Sequence, residues 1–138
     1  MDKLDNLVKI NKLKLESPNQ IEFDGLVRSG VVRLHDAKNT DLSDDSRFDL
    51  AYNAAHSFAL AAMRWHGYRS DNRYLVFQCL QHTLALPATK CRVLDVCHNK
   101  RNLAEYEGHL EIDEQLLTEL IDIACELQTL VQQMKPIK

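Results

Sequence analysis

Glycine and proline are scarce in this 138-residue chain, four and three residues respectively. That shortage excludes collagen-like repeats, disordered tails and the turn-rich pattern of an all-β sandwich. No apolar run approaches the roughly 18 residues of a membrane span, and the opening MDKLDNLVKINKLKLES carries no signal-peptide core. The expectation is a cytoplasmic domain with no membrane partner. Familiar catalytic signatures are missing too: there is no Gly-rich phosphate loop, no Gly-x-Ser-x-Gly elbow and no His-Glu-x-x-His. A di-iron bundle needs two Glu-x-x-His pairs, and the nearest match is a lone Asp95-x-x-His98. Cys91 and Cys97 lack zinc-finger spacing, so with Cys79 and Cys125 they read as reduced, buried small hydrophobes. No metal and no cofactor is expected.

What is present suits one helical domain over residues 1–138. Hydrophobic residues make up 45% of the chain and charged residues 27%, a balance that buries a sizeable core without staples. The net charge of −3 argues against a generic nucleic-acid coat. Its distribution says more. Residues 1–20 carry +1 and 21–46 carry −3, while 47–110 carry +3 and 111–138 carry −4. Five of the six histidines also fall in 47–110. Solvated acidic helix faces would explain this pattern, and so would a basic functional segment within an acidic scaffold.

Helical periodicity runs nearly throughout. Leu4, Leu7 and Val8 start an amphipathic N-terminal extension over 1–17, weakly continued by Leu13 and Leu15. Ser17-Pro18-Asn19-Gln20 reads as a capping box opening a helix to about Lys38, weakened by Gly25 and Gly30. Ser43 caps a long Ala-rich stripe from Phe48 to Trp65, stopped by Gly67. Ser70 is the expected cap of a further helix punctuated by Pro87, and a shorter helix then reaches about Arg101. Residues 102–112 are ambiguous because of Gly108, and Asp113 caps the cleanest helical pattern, which ends before Pro136. No strand is expected. The fold class is all-α: an antiparallel up-and-down bundle of four to five main helices.

Two polar constellations could carry chemistry. Asp49, Asn53 and His56, at steps of four and three, share one helix face and would be either plain exposed surface or the wall of a cleft. Trp65 reads as core, with Arg69 available to line the bundle end. The densest cluster is His98-Asn99-Lys100-Arg101-Asn102, followed by Glu105, Tyr106, Glu107 and His109. Arginine offers a rigid fork for phosphate, lysine a point charge, and histidine a group that titrates near neutrality. Metal-free RNA cleavage needs such a pair: the imidazole takes the 2′-hydroxyl proton and the cation steadies the phosphorane. A basic helix terminus complementing the macrodipole would look the same.

The segments RFDLAYNAAHSFALAAMRWHGYRS and HNKRNLAEYEG, with Arg101-Asn102 ahead of the last long helix, resemble a bacterial branch of the HEPN superfamily (higher eukaryotes and prokaryotes nucleotide-binding domain). The resemblance covers residues 43–134. It implies a small homodimeric bundle. Such bundles are metal-independent ribonucleases of toxin–antitoxin, antiphage or RNA-processing systems, or modules that bind nucleotide, RNA or an antitoxin-like protein partner. The family signature is an Arg, commonly followed by Asn, with a His after four to six intervening residues. Arg101 and Asn102 match its first half. The second half departs, because four intervening residues lead to Tyr106 and His109 lies one beyond the window. Arg101, Asn102, Tyr106 and His109 are therefore the candidates for chemistry. His98, Lys100, Arg101, Asp49, Asn53, His56 and Arg69 are the candidates for binding nucleotide or RNA.

Overall fold

Ser43 has an extended backbone, and its side chain accepts from the Ser46 amide at 3.2 Å, which caps the longest helix as the sequence predicts. The computed structural model describes residues 2–108 and 112–137. Its elements are α1 (Asp2–Lys9), β1 (Lys14–Leu15), α2 (Gln20–Ala37), α3 (Asp44–Trp65), β2 (Tyr68–Arg69), α4 (Arg73–Gln78), α5 (Leu80–Thr83), α6 (Ala88–Glu107) and α7 (Glu114–Gln132). The protein is an all-α helical bundle with four long helices, and α3 is its axis. α2 and α7 pack along α3 and against each other, while α4 bridges α3 to α6, which in turn meets α7.

The alanines of α3 explain that arrangement. Ala51, Ala54, Ala55, Ala59, Ala61 and Ala62 are all buried, so neighbouring backbones approach on several sides. On α2, Gly30 lies directly over the Phe58 ring, leaving no room for a side chain. Gly25, one turn and a half earlier, has open space around it. Phe48, Phe58, Met63, Leu34, Leu120 and Leu127 fill the interior between α2, α3 and α7. Cys79, Cys91 and Cys97 are buried and Cys125 half-buried, and none forms a disulfide, as expected of small hydrophobes.

Several boundaries differ from the sequence reading. Asn19 rather than Ser17 caps α2, and Asn72 rather than Ser70 caps α4. In each case the side chain of the later residue reaches the amide three positions on. Pro87 opens α6 instead of closing the preceding helix, which ends at Thr83. α6 runs on past Arg101 to Glu107, because nothing in NLAEYE breaks a helix before Gly108 takes the left-handed conformation at φ 77°. Trp65, expected in the core, is half-buried, and its indole donates to the Lys135 carbonyl at 2.8 Å.

The N-terminal extension is only partly helical. After α1 the chain makes β1, which pairs antiparallel with β2, Lys14 opposite Arg69 and Leu15 opposite Tyr68. Arg64 holds this ribbon to the bundle. Although 1% exposed, its guanidinium donates to the carbonyls of Glu16 (2.9 Å), Ser17 (2.8 Å) and Tyr68 (3.2 Å), and to Glu22 Oε1 at 2.6 Å. Arg69 joins the same network through Glu16 Oε2 at 2.7 Å and through Glu22. Both carboxylates are held below their usual range: Glu16 chiefly by its bond to Arg69, and Glu22 by Arg69 and Arg64, which outweigh its burial.

The two glycines of α2 give opposite predictions. Gly30→Ala is expected to cost about 1–3 kcal/mol, because Phe58 must leave its rotamer. Gly25→Ala is expected to gain roughly 0.5–1 kcal/mol from helix propensity alone. Urea denaturation of the two variants checks both signs.

Candidate functional site

Tyr52 is a large polar side chain buried in the middle of α3, so its hydroxyl must find a partner. It finds His98 on α6, with Tyr52 Oη 2.8 Å from His98 Nδ1. The other ring nitrogen, His98 Nε2, faces Asn102 Nδ2 at 3.1 Å. An amide NH2 can only donate, so Nε2 is the unprotonated nitrogen and Nδ1–H donates to the tyrosine. Burial pushes the His98 pKa down and Asp95 pushes it up, while Arg73 and Arg101 add to the net lowering. The imidazole is therefore neutral near pH 7. Burial also raises the Tyr52 pKa, against the pull of Arg73 and Arg101, so the phenol keeps its proton.

Two guanidiniums converge on the same ring. The Arg101 carbon lies 5.0 Å from the Tyr52 centroid and that of Arg73 lies 5.5 Å away. Arg101 is partly answered by Asp49 at 3.2 Å and Glu105 at 3.5 Å, both exposed carboxylates that hold it weakly. Arg73 donates from Nη1 to Asn53 Oδ1 at 2.9 Å and bonds the Tyr52 hydroxyl, and it meets no carboxylate among the described residues. Asn53 is itself fixed by its amide, which donates to the Asp49 carbonyl at 2.9 Å. The result is a partly exposed patch with two guanidiniums, one paired with carboxylates and one not, backed by a neutral imidazole.

His56 completes the α3 face. Its ring meets Phe77 edge-on with centroids 6.0 Å apart, and its Nε2 is buried with no partner among the described residues. Burial first, then Arg73, His98 and Arg101, lowers its pKa to about 4. Behind His98, Asp95 accepts from Gln78 Nε2 at 2.6 Å, leaving its other carboxylate oxygen buried and unpaired.

Of the sequence candidates, Asp49, Asn53, His98, Arg101 and Asn102 meet at this patch, and His56 is coupled to it. Lys100 is half-buried on the other side of α6, where its charge acts on the Cys97 thiol. Arg69 belongs to the Arg64–Glu16–Glu22 network instead. Tyr106 is 91% exposed, on a different face of α6 from Arg101. His109 lies outside the described residues. Sequence reasoning missed Tyr52 and Arg73. Tyr52 falls one turn before His56 and between Asp49 and Asn53, a spacing that could have drawn attention to it.

No protein-family model, no curated protein and no solved structure matches this chain.

A pH dependence follows from the histidines. Above its ordinary pKa of 6.5, His56 is neutral in folded and unfolded chains alike. As the pH falls from there toward about 4, the unfolded chain binds a proton that the folded chain refuses, so stability is lost. The full loss is on the order of 3 kcal/mol, and His98 adds to it in the same direction. In urea titrations from pH 7 to 4.5, His56→Gln should show a distinctly flatter decline than the wild type.

Proposed function

We propose that this bundle is a HEPN-like module that binds nucleotide or RNA phosphate through Arg101 and Arg73. The carrying observation is the convergence of two guanidiniums on Tyr52, one of them with no carboxylate partner among the described residues. Both guanidiniums lie within 5.5 Å of one ring, and a phosphate that accepts from either gains a charge-assisted bond. Tyr52 supplies the uncharged backing that orients them. The resemblance of residues 43–134 to the HEPN superfamily, carried by Arg101-Asn102, supports the same reading and adds a toxin–antitoxin, stress or defence setting.

A metal-independent ribonuclease is the second reading, favoured by the position of His98. The motif histidine is absent from its window after Arg101, but His98 stands one turn before it, neutral, with Nε2 as a proton acceptor. A ribose 2′-hydroxyl would displace Asn102 from Nε2, and Arg101 would steady the phosphorane. A homodimer or a protein partner has its own support in the exposed Val96, Leu103 and Tyr106 of α6, which recur at heptad-like spacing along the helix.

Titration of the purified protein with a short single-stranded RNA in low salt, without metal, tests the proposal. Arg101→Ala and Arg73→Ala should each weaken binding about tenfold and lower the salt slope by roughly 0.7. Absence of binding by the wild type would sink it. Cleavage of the RNA that disappears in His98→Ala while binding survives would select the ribonuclease reading.

A further inference from the structure

Past Tyr52, the same face of α3 presents His56 and Leu60, which floor a cleft of about 440 Å³. Its walls come from the turn at Asn11 and Lys12, from Lys14 on β1, and from the segment Arg69–Arg73. The volume is in the range of small-ligand sites. Four cations line it, Lys12, Lys14, Arg69 and Arg73, against a single carboxylate, Asp71. Glu16 and Glu22 already answer Arg69. Lys12, Lys14 and Arg73 have no ion-pair partner among the described residues. The floor is uncharged at neutral pH, since His56 holds no proton there. Such a cleft takes anionic groups at its rim and an uncharged ring or sugar beneath.

Arg73 belongs to both places. It lies over Tyr52 and it lines the cleft, so it links Arg101 at one end to Lys12 and Lys14 at the other, with Asp49, Glu105 and Asp71 as the carboxylates along the way. The stretch of α3 beneath it, Asp49 to His56, is about 10 Å long. A single phosphate cannot reach both ends. Lys12 and Lys14 come from the N-terminal extension, outside residues 43–134 that carry the resemblance to the HEPN superfamily.

We infer that the cleft is a second phosphate seat, and that the ligand is a single strand of RNA with successive phosphates at Arg101, at the shared Arg73 and at Lys12–Lys14. The inference rests on the phosphate-binding reading of the Tyr52 patch and extends it from a nucleotide to a strand.

The test compares hexauridylate, uridine monophosphate and adenosine triphosphate on the wild type, the double variant Lys12→Ala/Lys14→Ala, and Arg101→Ala. Both lysines are exposed, and circular dichroism checks that the variants fold. For the double variant, hexauridylate binding should weaken about tenfold and its salt slope fall by roughly 1.4, two phosphate contacts' worth. Monophosphate binding should stay as in the wild type. Arg101→Ala should weaken both ligands, and Lys12→Arg/Lys14→Arg should restore the hexamer. Hexamer binding indifferent to the lysines overturns the second seat and leaves the phosphate reading standing. Monophosphate binding that falls as far as the hexamer's makes the cleft the primary seat and overturns the strand. A loss on the triphosphate as large as on the hexamer assigns the cleft to a polyphosphate rather than a strand. No binding of any of the three to the wild type overturns both readings.

Discussion

The fold turns on a charge that cannot reach water. Arg64 is the largest fully buried side chain among the described residues, and a guanidinium in that position must have every donor met. Its partners are two carbonyls from the segment after β1, one from β2, and the carboxylate of Glu22 on α2. Satisfying Arg64 therefore fixes where the N-terminal extension lies, how the two-residue strands pair, and how α2 begins. The basic cleft exists because of this. The carbonyls of Glu16 and Ser17 held at Arg64, the buried Leu13 and the pairing of β1 with β2 together place Lys12 and Lys14 over α3.

Tyr52 plays the corresponding part toward the middle of α3. Its hydroxyl needs a partner as the Arg64 guanidinium does, and His98 on α6 supplies it. That bond fixes the rotation of α6 and so aims Arg101 at the ring, while α4 brings Arg73 to the same ring. The polar residues of α3 thus set the placement of the helices that do not pack closely on its alanines. Close approach of small residues determines the bundle, and the few buried polar groups determine its surface chemistry.

How far the sequence could be read follows from this division. Apolar periodicity and caps such as Ser43 and Asp113 depend on neighbours a few residues away, and these placed α3 and α7 well. Where two nearby polar residues could both cap, as at Ser17 and Asn19, Asn19 takes the role while the Ser17 carbonyl is taken by Arg64, a contact 47 residues distant that no local pattern reveals. The strand pair was invisible for the same reason, since two residues show no alternation. At the candidate site, Asp49, Asn53 and His56 were legible as one face of a helix, and Arg101-Asn102 as a polar cluster. Their meeting was not, because it runs through Tyr52, which reads in sequence as another aromatic in an apolar stripe. Arg73 stood alone between a turn and a short helix, with no pattern to mark it.

The thiols of the interior have a practical consequence. Burial pushes Cys79 and Cys91 to about 11 and Cys97 to about 12, so at neutral pH these three hold almost no thiolate and are shielded from reagents. Cys125, half-buried on α7, is the least shielded of the four. An alkylating probe therefore meets at most one partly exposed cysteine in the native chain and four in the unfolded chain. The molecule thus carries its own count of how many copies are folded.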